Sequence, residues 1–105
     1  MGTTREKLAD KLYITRIGKI RIIDFNGVGA NATTGVYYSG LPAADCPYMV
    51  NVYNMALYQN SGGVTYPGYV QVASSGVIVG RYYTVAGQVQ VTSWPTFGIL
   101  VYTVA

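Results

Sequence analysis

Few residues in this chain are equipped for acid–base or nucleophilic chemistry. Histidine is absent, cysteine occurs once (Cys46), and the carboxylates number four: Glu6, Asp10, Asp24 and Asp45. Histidine-based triads, zinc sites and disulfide frameworks therefore all lack their parts. A paired-carboxylate glycosidase would need Asp24 and Asp45 at about 5 to 9.5 Å. Their neighbours suggest humbler roles, with Asp24 capping the Asn26-Gly27 turn and Asp45 ordering its loop through nearby amides. Cys46 has no basic neighbour to stabilise a thiolate and reads as a buried, inert thiol. Residues 27–32, GVGANA, spell G-x-G-x-x-A after a predicted strand. A dinucleotide site needs a helix next, whereas Thr33-Thr34-Gly35 and another strand follow, so the segment reads as a glycine-rich loop. Asn31-Ala32-Thr33 spells a glycosylation sequon, but no apolar leader-type segment precedes it. We expect no enzyme activity, no metal and no cofactor.

Tyrosine is the informative residue, with 11 copies against two Phe and one Trp. A pure core has little use for so many hydroxyls, whereas a binding surface gains wide apolar rings with polar edges at low entropy cost. Such rings also stack on sugars while neighbouring amides bond sugar hydroxyls. Tyr58, Gln59, Asn60, Tyr66 and Tyr69, around the Asn60-Ser61-Gly62-Gly63 turn, are the expected ligand-binding set. Completing cross-strand pairs on a sheet is the alternative use of each ring.

These groups must be positioned by a single domain, because 105 residues and 11.3 kDa build one core. Half the residues are apolar, yet no run approaches the roughly 20 needed to cross a bilayer as a helix. Nine of the eleven charged residues lie in the first 24 positions, leaving Asp45 and Arg81 for the rest. The total is 10% against a usual quarter or so. The net charge of +3 therefore does not form the basic face that nucleic acid requires. A neutral polar surface suits a virion or extracellular protein, or one covered by sister subunits, and the lone cysteine suits folding in a reducing cytoplasm.

Thr3-x-x-Glu6 spells a capping box, predicting a short helical connector within 1–17 with Leu8 and Leu12 on one face. A helix so short needs packing to persist, so these two leucines are the expected oligomerisation contacts. From Gly18 onward, β-branched and aromatic runs separated by glycine-bearing turns predict a β-rich domain over 18–105. Seven strands are expected: 19–24, 36–39, 48–59, 64–73, 76–85, 88–93 and 97–104. Pro67-Gly68 would place the fourth at an edge or bulge. Val70/Val72, Val77/Val79, Val89/Val91 and Phe97/Ile99/Val101 are the expected inward faces. The fold class is all-β, a small antiparallel sandwich or barrel-like head preceded by a short N-terminal helix.

Asp24-Phe25-Asn26, Thr33-Thr34-Gly35-Val36-Tyr37-Tyr38, the tyrosine-rich middle, Arg81-Tyr82-Tyr83-Thr84 and Ser93-Trp94 resemble the pyocin-knob-like modules at the ends of phage and tailocin tail fibres. The resemblance spans about residues 24–94. It departs after the tryptophan, where Pro95 and an apolar segment, Phe97 to Val104, replace the basic residues usual there. The resemblance implies a homotrimeric fibre tip, assembled in the bacterial cytoplasm and carried on the particle, that meets a bacterial surface receptor, often a glycan. The expected partners are two further copies and a surface glycan or protein, with no nucleic acid and no membrane insertion. A fibre-end trimerisation module without its own ligand is the structural alternative, and a polysaccharide depolymerase is disfavoured for want of acids and bases.

Overall fold

A computed structural model of the chain describes residues 2–29, 35–83, 89–90 and 94–105. The chain is nearly all-β, an antiparallel sheet curled into a nearly closed barrel. Strands β1 (Thr3–Ala9), β2 (Leu12–Ile17) and β3 (Ile20–Gly29) form a meander, followed by β4 (Val36–Tyr38). Then come β5 (Asn51–Gln59), β6 (Thr65–Ala73), β7 (Ile78–Tyr83), the short β8 (Val89–Gln90) and β9 (Pro95–Thr103). The spatial order is β1-β2-β3-β9-β5-β6-β7-β4, with β8 also paired to β7. The last strand thus lies centrally, joining the meander to the β5-β6-β7 half.

The predicted helical connector is not formed. Thr3 and Glu6 lie in β1, and a two-residue turn at Asp10-Lys11, with Lys11 at φ 61°, returns the chain as β2. Leu12 and Ile14 are two apart, fully buried, and point inward from β2, where it pairs with β3. Two leucines on an isolated helix would bury little, whereas β pairing places a period-2 face into the core, so tertiary contact overrides the local signal. The charge-rich start has the same cause. β1 is an edge strand exposed through Lys7. Its Arg5, Glu6 and Lys7 keep it soluble and discourage pairing with another edge.

Alternation fixes which side chains enter the barrel. Leu12, Ile14, Ile23, Phe25, Val70, Val72, Ile78 and Leu100 form the apolar interior, joined by Tyr37, Tyr58 and Tyr102. Val70/Val72 point inward as expected. In β7 the inward residues are Ile78 and Gly80, not Val77/Val79. In β9 they are Thr96, Leu100 and Tyr102, and Phe97, Ile99 and Val101 face outward. Both parities of β9 are apolar, so a one-residue choice reverses the whole face. Residues Val89 and Val91 were a further expected inward pair, but their side chains lie outside the described residues.

Two other expectations change. Asp24 sits within β3, and the anticipated turn at Asn26-Gly27 is a bulge in the β3–β9 ladder, with Gly27 at φ 89°. β6 is an interior strand between β5 and β7, not an edge. Pro67 lies just past the last β6–β7 pair, Gly68↔Tyr82, so that ladder stops where the proline begins.

One end of the barrel is crossed by the segment 39–50, which leads from the edge strand β4 to the interior strand β5. Leu41 is buried on it, its N–H donating to Gly76 O at 3.2 Å. Asp45, closing a 3-10 turn over Ala43–Asp45, is nearly completely buried. Its carboxylate accepts from Arg16 Nε and Nη2 at 2.8 and 2.7 Å and from Arg21 Nε at 2.8 Å. The segment is thereby clamped to β2 and β3, by distant guanidinium groups and not by the nearby amides that the sequence suggested.

Candidate functional site

The five residues expected to bind a ligand do not converge. Tyr58 and Tyr66 are paired across β5 and β6 and share the inward parity. Tyr58 is 0% exposed, a core residue whose hydroxyl donates to Tyr69 O at 2.8 Å. Its role as a surface anchor is therefore corrected: the ring faces the interior and offers no surface to a ligand. Burial, with the Tyr37 hydroxyl bonded to it, holds the Tyr58 phenol far above its ordinary pKa. Tyr66 is half-buried at the barrel end, its ring 5.4 Å from that of Trp94.

The amides beside them are used by the turn itself. Asn60 Oδ1 accepts from the N–H of Gly62 and of Val64 at 3.0 and 2.9 Å, and Asn60 N donates to Val64 O at 3.0 Å. Gln59 is exposed, its Nε2 3.5 Å from Gly63 O. Asn60 thus builds the hairpin as an Asx-type turn.

Leu8 and Leu12 are also separated from their expected role. Leu12 is 0% exposed in the monomer's own core, and Leu8, on β1, is half-buried against that core. Neither is presented on a helix face.

Tyr69 does reach the surface. It points outward from β6, and its ring meets that of Tyr53 on β5 edge-to-face, centroids 5.5 Å apart at 65°. Tyr53 is 57% exposed. Tyr53, Asn54, Met55, Gly68 and Tyr69 line an open depression there. Arg81 on β7 is the direct cross-strand partner of Tyr69, so the two side chains leave the sheet on the same side. The pairing of Tyr53 with Tyr69 was legible only as a parity: both lie on the outward side once Tyr58 is placed inward.

The other surface missed from sequence runs along the β3–β9 side. Ile99 and Val101 are 47% and 49% exposed, and Ile20, Phe97 and Leu57 are exposed beside them. Their registers place Ile22 opposite Val101 and Leu57 opposite Phe97, so the outward apolar residues form one stripe. At its strap end β5 diverges from β9, and Ile20, Met49, Val52, Val101, Tyr102 and Thr103 line an apolar cleft. Asn54 spans the divergence by donating from Nδ2 to Ile99 O. At the stripe's margin Arg5 Nη2 pairs with Asp24 Oδ2 at 3.1 Å.

The carboxylates that chemistry could use are committed elsewhere. Asp24 is paired with Arg5, and Asp45 with Arg16 and Arg21. Arg16, reinforced by Arg21 and opposed by burial, holds the Asp45 carboxyl below the usual range. Cys46 is half-buried, and burial, with Asp45 beside it, pushes its thiol up, which disfavours a reactive thiolate. Among the described residues no three His, Cys, Asp or Glu side chains cluster as a metal site would require, and no helix is long and apolar enough to cross a membrane. The G-x-G-x-x-A segment begins on β3 at Gly27–Gly29; its remainder and the Asn31 sequon lie outside the described residues.

No family model, no curated protein and no solved structure matches the chain.

Proposed function

We propose that the chain is a non-enzymatic, homotrimeric head module of a phage or tailocin tail fibre, exposed on the particle, that meets a receptor on a bacterial surface. The observation that carries this reading is the apolar stripe of Ile20, Ile22, Phe97, Ile99, Val101 and Leu57 on a β body otherwise poor in charge. Contiguous apolar patches of this kind are uncommon on soluble monomers and mark association surfaces. Three copies meeting along it would cover the central strands and leave the β5-β6-β7 flank, with exposed Tyr53 and half-buried Tyr69, to face a receptor. A non-catalytic role is supported by the absence of histidine and by the commitment of Asp24 and Asp45 to arginines.

The test pairs assembly with adsorption. Labelled protein is mixed with a panel of bacterial strains and the bound fraction measured. A head decorates at least one strain as a trimer. A trimer that decorates none supports the structural reading, a fibre-end assembly module without its own ligand.

A further inference from the structure

We propose that the outward corner made by Tyr53, Tyr69 and Arg81 is a binding subsite for a sugar residue bearing a negative charge, as carboxylate or phosphate. The inference rests on the receptor-binding reading above and names the chemistry of its ligand.

Three observations meet at this corner. First, the Tyr53 and Tyr69 rings stand edge-to-face at 65°, giving a bent apolar wall on an exposed sheet face. Aromatic faces of this kind stack against the C–H side of a pyranose, and the phenol edges reach its hydroxyls. Second, Tyr53, Asn54, Met55, Gly68 and Tyr69 line an open depression beside these rings.

Third, Arg81 stands next to Tyr69 in register, half-buried, with a cross-strand Cβ separation of about 4.5–5.5 Å expected for such a pair. It is the only charged residue after Asp45. The ion pairs among the described residues join Arg5, Arg16 and Arg21 to Glu6, Asp24 and Asp45, and Arg81 takes part in none. A chain that has nearly abandoned charge over its last 81 positions retains one guanidinium, without a carboxylate partner among the described residues, beside outward-facing Tyr69, which packs on exposed Tyr53. A planar guanidinium suits an oxyanion, which it can engage through two N–H groups. A neutral sugar would use the rings and leave this cation idle, whereas an acidic sugar uses both.

The experiment titrates the purified full-length protein with three saccharide probes of matched length by calorimetry: an oligoglucuronate, a phosphorylated oligosaccharide and a neutral maltooligosaccharide. At least one acidic probe should bind about tenfold or more tightly than the neutral one, weakening as salt is raised from about 50 to 300 mM. The carboxylate and phosphate arms decide which oxyanion is preferred. Arg81→Gln should abolish the acidic preference while leaving residual ring stacking, and Tyr53→Ala should weaken all saccharide binding by about tenfold. Tyr53 is exposed, so a native circular dichroism spectrum is expected of that variant. Equal affinity for neutral and acidic probes, an unchanged preference in Arg81→Gln, or no binding of either acidic probe at about 10 mM would overturn the proposal. Failure of the wider reading looks different. Wild-type protein that decorates no strain removes the receptor head, whereas strain decoration that Arg81→Gln leaves intact removes only this subsite.

Discussion

Arg16 grips Asp45 with two parallel hydrogen bonds, Nε to Oδ1 at 2.8 Å and Nη2 to Oδ2 at 2.7 Å, across 29 positions of sequence. Arg21 Nε adds a third at 2.8 Å, and Tyr102 Oη donates to the Asp45 carbonyl at 2.6 Å. This cluster ties the 39–50 strap to β2, β3 and β9 and so closes one end of the barrel.

Because the Asp45 carboxyl titrates below its ordinary value, the clamp contributes its full stability above the unfolded-state pKa of about 3.9. That contribution disappears as pH falls through the lower folded-state value. Stability should therefore drop on acidification below about pH 4, more steeply in wild type than in Asp45→Asn. Asp45→Ala leaves two guanidinium groups facing an emptied, poorly hydrated site and should cost about 3 kcal/mol at neutral pH. Urea midpoints across a pH series check both statements.

Gly80 sits where the Tyr37 and Tyr58 hydroxyls meet inside the barrel, so a methyl group there runs into both. Tyr37 in turn is hydrogen-bonded to Thr96. Gly80→Ala should lose about 1–3 kcal/mol through overpacking. A denaturation midpoint unchanged within error would mean that the tyrosine pair can move aside.

Removing residues 1–17 should unfold the protein instead of merely weakening its assembly. The deletion takes Leu12 and Ile14 from the core and Arg16 from the strap clamp. The β-type circular dichroism of the truncated chain should be lost. A native spectrum would show that β3 to β9 form a complete core alone.

The β9 parity is testable residue by residue. Leu100 is fully buried and Ile99 is about half exposed. Leu100→Ala should cost about 2–5 kcal/mol, and Ile99→Ser well under 1 kcal/mol of protomer stability. Equal costs would contradict the assigned face.

That parity also marks how far the sequence could be read. The all-β class, the Asn60–Gly63 hairpin and the Val70/Val72 face were visible, because each is encoded within a few residues by turn chemistry or alternation. β1 and β2 were not, since Thr3-x-x-Glu6 and Leu8/Leu12 fit a helix locally and only pairing with β3 decides otherwise. Along β5 and β9 both faces are apolar, so alternation names two faces without saying which is inside. Tyr58 was misplaced for that reason, and the Tyr53–Tyr69 corner with Arg81 was missed for the same one. The Asp45 clamp was out of reach because its partners lie 24 and 29 positions away.

The most direct measurement of the central claim is the mass of the full-length chain in solution, by light scattering or sedimentation at micromolar concentration, for wild type and Ile99→Asp. With an 11.3 kDa protomer, wild type should run at about three times that mass if, as proposed, other copies cover the exposed Ile20, Ile99 and Val101 stripe. Ile99→Asp, placing a charge on an outward position, should fall to the protomer mass while keeping its β spectrum. A wild-type mass of 11.3 kDa would contradict the account, and so would a trimer that Ile99→Asp leaves undisturbed.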